Sequence, residues 1–395
     1  MITAGVIAEY DPFHNGHAFL MRKLRQMGAD RIAVVMSGNF MQRGDVAIIS
    51  KWARAKQALY GGADLVVELP LPWAVAGAER FARGGIFLLS ALGADIVGFG
   101  SECGDIKLLK KAQEALTSPF LHDAMRKSLN GGETFAAARQ KAVNGLFGEE
   151  TAQLLREPNN ILGIEYLKAI NSIHSNIKPV TVKRKMVQHN VDSCAGEFAS
   201  SAKIRSMIKS KHDFSTYTPD FVCKSINSET AEGYAPASLL YVERAILSSL
   251  RRMERADFSR LPDISEGLEN RIYSASRKAV SLAELFQAIK TKRYPLARIK
   301  RIVLSAFLGI KASDGAGTPP YCRILGIGKG GADIIRNAKQ KSLLPIITKH
   351  ADCLHLNSNA LKCLKLEARS SDLYALCTPR AAPCGLDFSN KMIVL

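Results

Sequence analysis

Apolar positions in the first hundred residues alternate between two rhythms. Residues 2–8 (ITAGVIA), 31–36 (RIAVVM), 65–69 (LVVEL) and 94–100 (ADIVGFG) are short, nearly continuous apolar runs. Runs of that length, bounded by glycine, proline or aspartate, predict strands buried on both faces. Between them the apolar residues recur at helical spacing. A helix is expected from about Gly16 to Met27. A second follows Ser50 as its N-cap over KWARAKQALY and ends at Gly61-Gly62, and a third covers 76–91. Strands alternating with helices predict an α/β protein with a parallel sheet covered on both faces. Ligands bind such sheets outside the carboxyl ends of the strands. The loops at 9–17, 37–45, 70–75 and 98–102 should therefore meet at one crevice.

The rhythm then changes. Residues 106–156 read as a polar, helical insertion broken by NGGE at 130–133. Residues 156–170 read as a loop entering a helix. PVTVKRK at 179–185 suits a further strand, and 196–210 a loop followed by a helix capped by Ser200 or Ser201. Beyond about 212 the strand-helix alternation weakens. YAPASLLYVERAILSSL and RYPLARIKRIVLSAFLGI carry apolar residues at helical spacing with basic residues on the other face. Two regions are expected: an α/β domain over 1–212 containing the helical insertion, and a basic, mainly helical domain over 213–395.

Composition adds three constraints. The chain of 395 residues is longer than one compact domain usually is. Its formal net charge is +18, and both regions are basic, +8 over 1–212 and +10 over 213–395. A field of that sign favours a polyanion, and nucleic acid in particular. No apolar stretch is long enough for a membrane helix and no export leader is evident, so a cytoplasmic protein without a membrane partner is expected. No protein partner is inferred. The cysteines form no C-x-x-C pair. His350, Cys353 and His355 lie close together in sequence, but their spacing fits no common zinc pattern; they read as packing residues, and no metal site is assigned.

The residues with the clearest chemistry are EYDPFHNGH at 9–17, directly after the first strand. A helix start there presents unpaired N–H groups and a positive dipole end to an anion. His14 and His17, three apart, share one helix face and can both address a triphosphate. Gly16 lets the backbone approach closely, and Asp11 and Pro12 help hold the turn. No G-x-x-x-x-G-K-[ST] loop is present.

HNGH at this position resembles the H-x-G-H signature of the nucleotidyltransferase superfamily shared with class I aminoacyl-tRNA synthetases. Their second signature, close to I-S-S-T-x-I-R, resembles ASSAKIR at 199–205. Ser200, Ser201 and Arg205 are in register, and Ala202 replaces the threonine. Longer blocks extend the likeness: GVIAEYDPFHNGH, SGNFMQRGDVAIISKWARAKQAL, GADLVVELP, FGSE, PNNILGIEYLKAI, LPDISEGLENRI, IKTKRYPLARIKRIVL and PPYCRILG. Together they resemble the tRNA(Met) cytidine acetate ligase family over nearly the whole chain, most weakly in the last 50 or so residues.

The resemblance implies a Rossmann-like nucleotidyltransferase domain of the HxGH type. It also implies an ATP-dependent enzyme that activates acetate as acetyl-adenylate, releases pyrophosphate and acetylates N4 of the wobble cytidine of elongator tRNA(Met). ATP with Mg²⁺ carried on its phosphates would be required. The catalytic pair would be His14 and His17. The ATP site would take in Ile7, Ala8, Glu9, Tyr10, Asp11, Pro12, Phe13, His14, Asn15, Gly16 and His17. Further members would be Gly100, Asn159 or Asn160, Arg184, Ser200, Ser201 and Arg205. Asn39, Gln42 and Arg43 follow the second strand and are secondary candidates, while Glu102 and Asp64 suit capping roles equally well. The densest basic group, Lys292, Arg293, Arg298, Lys300 and Arg301, would meet tRNA phosphates. Two other functions share parts of the pattern: a small-molecule adenylyltransferase, and a non-catalytic tRNA-binding protein with a relic ATP site.

Overall fold

The computed structural model describes residues 1–184, 194–265 and 267–395. Its centre is a mostly parallel sheet of β1 (Thr3–Ala8), β2 (Arg31–Ser37), β3 (Leu65–Leu69), β4 (Ile96–Ser101), β5 (Lys178–Lys183), β6 (Cys322–Ile327), β7 (Ile346–Ile347) and β8 (Ile393–Val394). The order is β7-β6-β3-β2-β1-β4-β5, with β8 also on β6. β1 runs parallel to both β2 and β4, so the strand order reverses there. That reversal is where such sheets open a ligand crevice.

The four apolar runs become β1 to β4. The helices between them are α1 (Asn15–Gln26), α2 (Lys51–Tyr60) and α3 (Ala78–Ala91). Ser50 caps α2 through its Oγ, as its position suggested. The insertion folds as helices Ile106–Thr117, Pro119–Asn130, Phe135–Phe147 and Glu149–Leu154, with the NGGE break between the second and third. It leads into α4 (Pro158–Ser172), which packs on α3 and β4. β5 ends at Lys183; the expected last residue, Lys185, lies outside the described residues. Among the described residues no helix is long and apolar enough to cross a membrane.

The expected division at 212 does not follow the sheet. Helices between Leu239 and Leu308 gather one core with Phe258, Ile272, Leu285, Ile302 and Phe307. The chain then returns: β6 pairs antiparallel with β3 and carries β7 and β8 with it. The reason is that Cys322–Ile327 is an apolar run like the first four, buried along most of its length. Helix α7 (Ser358–Tyr374) bridges the two cores, with Leu364 in the sheet's core and Leu366 in the helical one.

A buried ionic cluster fastens this return. Lys51 of α2 is fully buried, and its Nζ lies 2.7 Å from Glu68 of β3 and 2.6 Å from Asp387. Arg323 of β6 reaches the same two carboxylates at 3.2 and 2.9 Å. Burial opposes the Lys51 charge, but Asp387 and Glu68 outweigh it and raise its pKa. A third acid, Glu367 of α7, is driven well above the usual carboxylate range by burial and by Glu68. Lys51 Nζ also lies 3.8 Å from Glu367, so two cations face three carboxyl groups in one dry cluster. Removing one partner of such a cluster strands the others in a dry interior. Arg323→Met should therefore lower the unfolding free energy by about 3–5 kcal/mol, read from urea unfolding, whereas Lys292→Ala on the surface should leave it within about 0.5 kcal/mol.

Candidate nucleotide-binding site

At the reversal point the chain leaves β1 through Glu9 and turns into α1. His14 is the N-cap of α1, in an extended conformation, and its Nδ1 accepts the Gly16 N–H at 3.0 Å. His17 Nδ1 accepts the His14 N–H at 3.2 Å. The result is a reciprocal capping box built from two histidines. Both rings accept at Nδ1, which assigns the remaining proton to Nε2 of each. The rings stack with centroids 3.6 Å apart at 22°, and Tyr10 meets His17 edge-on at 4.7 Å. Burial lowers the His14 pKa to about 3, helped by the Arg184 and Arg205 charges. Burial, then His14 and Arg184, hold His17 well below its ordinary value. The pair is thus two neutral N–H donors rather than two cations.

Gly16 has a specific steric role. A Cβ there would lie 2.9 Å from Cε1 of the His14 ring. Asn15 turns away from the crevice, donating to the carbonyls of Glu197 and Thr216 at 2.9 and 3.0 Å. Tyr10 and Phe13 are buried in the core, as is Ile7. Asp11 holds the Ile48 N–H at 2.9 Å.

The second signature meets the first. Ser200 caps helix α5 (Ser201–Lys209), its Oγ accepting the Lys203 N–H at 3.1 Å. Ser201 Oγ lies 3.1 Å from His14 Nε2, which donates to it in the assigned tautomer. Arg205 donates to the Asp11 carbonyl at 2.8 Å and lies 3.5 Å from its carboxylate. Two helix N-termini, from positions nearly 190 residues apart, therefore converge on the histidine turn.

The opposite wall comes from β4. A Cβ on Gly100 would lie 3.2 Å from Arg184 Cγ, so the arginine stem lies over the glycine. Arg184 donates to Asn159 Oδ1 at 3.3 Å. The neighbouring asparagines separate clearly. Asn160 is buried, and its Oδ1 accepts the N–H groups of Glu102 and Cys103. Asn159 is the one on Arg184's side. Glu102 caps α4: Oε1 accepts from Asn159, and Oε2 takes the Asn160 N–H at 2.8 Å.

Several candidates serve the scaffold. Asp64 sits at the far end of the sheet, bound to Ile32 N–H and Arg25. Asn39 is buried, linking the Lys51 N–H to Ser371. Gln42 N–H donates to Glu9 Oε1 at 2.7 Å, and Arg43 beside it is exposed. Of the basic group on and before α6 (Leu296–Leu308), Arg298 binds the Asp263 carbonyl and Ser265, and Arg301 binds the Asp263 carboxylate and the Gln42 carbonyl. Those two guanidiniums are turned inward because their own loops need donors. Lys300 lies 3.9 Å from Asp45, and Lys292 and Arg293 are exposed. His350 packs edge-on against Phe388, and Cys353 packs on the main core.

Arg54 escaped the sequence reading. Fully buried on α2, it donates to the carbonyls of Ile49, Glu9, Ser37 and Gly38. Its signal was available: with Lys51, Ala55 and Ala58 it lies on the apolar stripe of that helix.

Two predictions follow from the turn. His14 in the unfolded chain protonates near its ordinary value of 6.5, but in the fold only at about 3. Between those values the unfolded state binds the extra proton, so stability falls as pH drops, by about 1.4 kcal/mol per pH unit for one group. Urea unfolding between about pH 7 and about pH 5 should show this slope, and His14→Asn should flatten it. Gly16→Ala should displace the His14 ring. Nucleotide affinity, measured by calorimetry, is then expected to weaken roughly tenfold, or ~1.4 kcal/mol, with the helical circular-dichroism signal retained.

The family model described as HIGH Nucleotidyl Transferase matches residues 1–385. The tRNA(Met) cytidine acetate ligase of Thermoanaerobacter sp. (strain X514) is 38% identical over 403 residues, covering 99% of each chain. The protein of the same name from Acetivibrio thermocellus is 36% identical and covers 100% of each. Among solved structures, Thermotoga maritima TmcAL bound with alpha-thio ATP superposes with a TM-score of 0.92 at 31% identity, covering 100% of both chains. Its apo form gives 0.94 at 32%. By its two signatures, their meeting at His14 and Ser201, and these full-length likenesses, the chain belongs to the HIGH nucleotidyltransferase family, among the tRNA(Met) cytidine acetate ligases.

Proposed function

We propose that this chain is an ATP-dependent ligase that modifies tRNA(Met) in the cytoplasm. It activates acetate as acetyl-adenylate with release of pyrophosphate, then transfers the acetyl group to N4 of the wobble cytidine of the elongator tRNA. The observation that carries this reading is the His14 Nε2 to Ser201 Oγ contact of 3.1 Å, which joins the two helix starts. A triphosphate laid across them would receive the His17 Nε2–H, the Ser201 hydroxyl that His14 Nε2 holds in place, and the free N–H groups of α1 and α5. Neutral imidazole donors in a dry turn stabilise charge growing on phosphate oxygens without first surrendering a proton.

Acetate attacks the α-phosphorus as an anion, so activation needs positioning and charge stabilisation, not a protein nucleophile. Ser200 and Ser201 frame the β- and γ-phosphates, while Arg205 fixes the turn through Asp11. Gly100, Asn159 and Arg184 receive the nucleoside; Asn160 supports that wall from below. Mg²⁺, when bound, would neutralise phosphate charge. The residues present suit a metal that arrives on the nucleotide, since among the described residues no three of His, Cys, Asp or Glu gather to cage one. For tRNA, exposed Lys292 and Arg293 with half-buried Lys300 offer phosphate contacts, whereas Arg298 and Arg301 keep the helical face in shape.

Carboxyl-labelled acetate, Mg²⁺-ATP and total tRNA provide the test, followed by nucleoside analysis of the RNA. Label is expected in N4-acetylcytidine only with ATP, and His17→Ala should slow its appearance by about 10²–10³-fold. RNA left unlabelled by the wild-type chain would overturn the reading.

A further inference from the structure

Activation of acetate requires no base, but transfer does. The exocyclic amine of cytidine is a weak nucleophile, and the nitrogen that attacks an acyl carbon must shed a proton. Neither histidine can accept one: His14 and His17 already accept at Nδ1 and present N–H at Nε2.

The carboxylates at the strand ends differ in whether an oxygen is left free. Asp11 is buried and engaged by the Ile48 N–H and Arg205. Both oxygens of Glu102 hold the start of α4. Glu68 lies in the buried cluster with Lys51 and Arg323. Glu9 differs. Its Oε1 is fixed by the Gln42 N–H at 2.7 Å, while Oε2 makes no hydrogen bond among the described residues, and the residue is half-buried. The carboxylate is thus oriented by one oxygen and open at the other.

Its position suits the reacting centre. The nucleoside wall of Gly100, Asn159 and Arg184 lies on the β4 side of β1. Glu9 directly follows β1 at the reversal point, with Gln42 and Arg43 on its β2 side and Tyr166 of α4 also facing it. Asp11 and Arg205 of the histidine turn both act on Glu9, so a triphosphate held at that turn would have this carboxylate beside it.

We propose that Glu9 is the proton acceptor of the transfer half-reaction, an assignment that rests on the function proposed above. The cytidine N4 attacks the carbonyl carbon of acetyl-adenylate and a C–N bond forms. The bond from that carbon to the phosphate oxygen breaks, and AMP leaves with the electron pair. One amine proton passes to Glu9 Oε2 and is later released to water.

The surroundings fit a base. Burial raises the Glu9 pKa and Asp11 adds to it, while the Gln42 N–H, Arg205 and Arg43 oppose. Tyr166 of α4 and Arg54 of α2 complete the titratable groups that face it. A base raised toward working pH accepts a proton more readily. Transfer should then fall as pH drops through the Glu9 pKa, because the protonated form cannot act.

Glu9→Gln separates the half-reactions. Acetate-dependent ATP–pyrophosphate exchange reads activation, and N4-acetylcytidine formation from preformed acetyl-adenylate reads transfer. Transfer is expected to fall by about 10²–10³-fold, with exchange reduced by less than roughly tenfold. Glu9→Asp should recover part of the transfer rate, and the acid limb of its pH profile should vanish in Glu9→Gln. Equal loss of both half-reactions would overturn the assignment and point to a role in binding ATP or its metal. Unchanged transfer would overturn it too. A wild-type chain that forms no N4-acetylcytidine would reject the proposed function and this assignment with it, and is told apart because no substitution is needed to see it.

Discussion

Parallel strands that stop together leave a row of carbonyl oxygens with nowhere to go. Here one side chain answers that problem. Arg54, buried beneath the crevice, donates to the carbonyls of Glu9, Ser37 and Gly38 where β1 and β2 end. A guanidinium is suited to this because its donors are spread in a fixed plane and its charge is never lost. Burial weighs against that charge, and the carboxyl groups of Asp11, Glu9 and Glu68 lie around it to compensate. The course of the chain out of β1, and with it the histidine turn, is set from below before any ligand arrives.

Above that floor the chemistry rests on removing water. Two stacked imidazoles in solvent would titrate near neutrality and compete with water for every acceptor. Buried against Tyr10 and Phe13 and tied to backbone N–H groups, they stay neutral and keep one donor each in a set direction. The capping interaction that starts the helix and the tautomer that serves the ligand are the same two hydrogen bonds. Changing the local fold would change the chemistry, and the reverse also holds.

Much of this could be read along the chain. Continuous apolar runs gave β1 to β4 because a doubly covered strand has no polar face to interrupt it. The meeting of His14 with Ser201 was accessible through signature resemblance, which carries long-range information that periodicity lacks. The weakening alternation after 212 does not mark the end of the sheet, because β6 is a single, mostly apolar strand that returns after more than a hundred residues of helix. Whether Asn159 or Asn160 faces the crevice depends on helix phase at one residue's precision, which sequence patterns do not reach. The inward turn of Arg298 and Arg301 was hidden for a similar reason: a basic helix face looks solvated until the loop at 263–265 is known to lie across it. Arg54 and Lys51 were legible in principle, as charges on an apolar stripe.

The return of the chain to its first sheet has a temporal side. During synthesis β1, β2 and α2 come first, but β3 lacks β6 until residues 322–327 have been made, and Lys51 lacks Asp387 until later still. A lysine meant for a dry interior cannot be buried while its counter-charges are missing. The nascent sheet therefore keeps one flank hydrated and unpaired while the helical middle is being added, a condition in which exposed strands invite wrong partners. The Arg54 contacts beneath the crevice join only residues 9–54, so the floor can form early, while the flank that carries Lys51 waits for its partners.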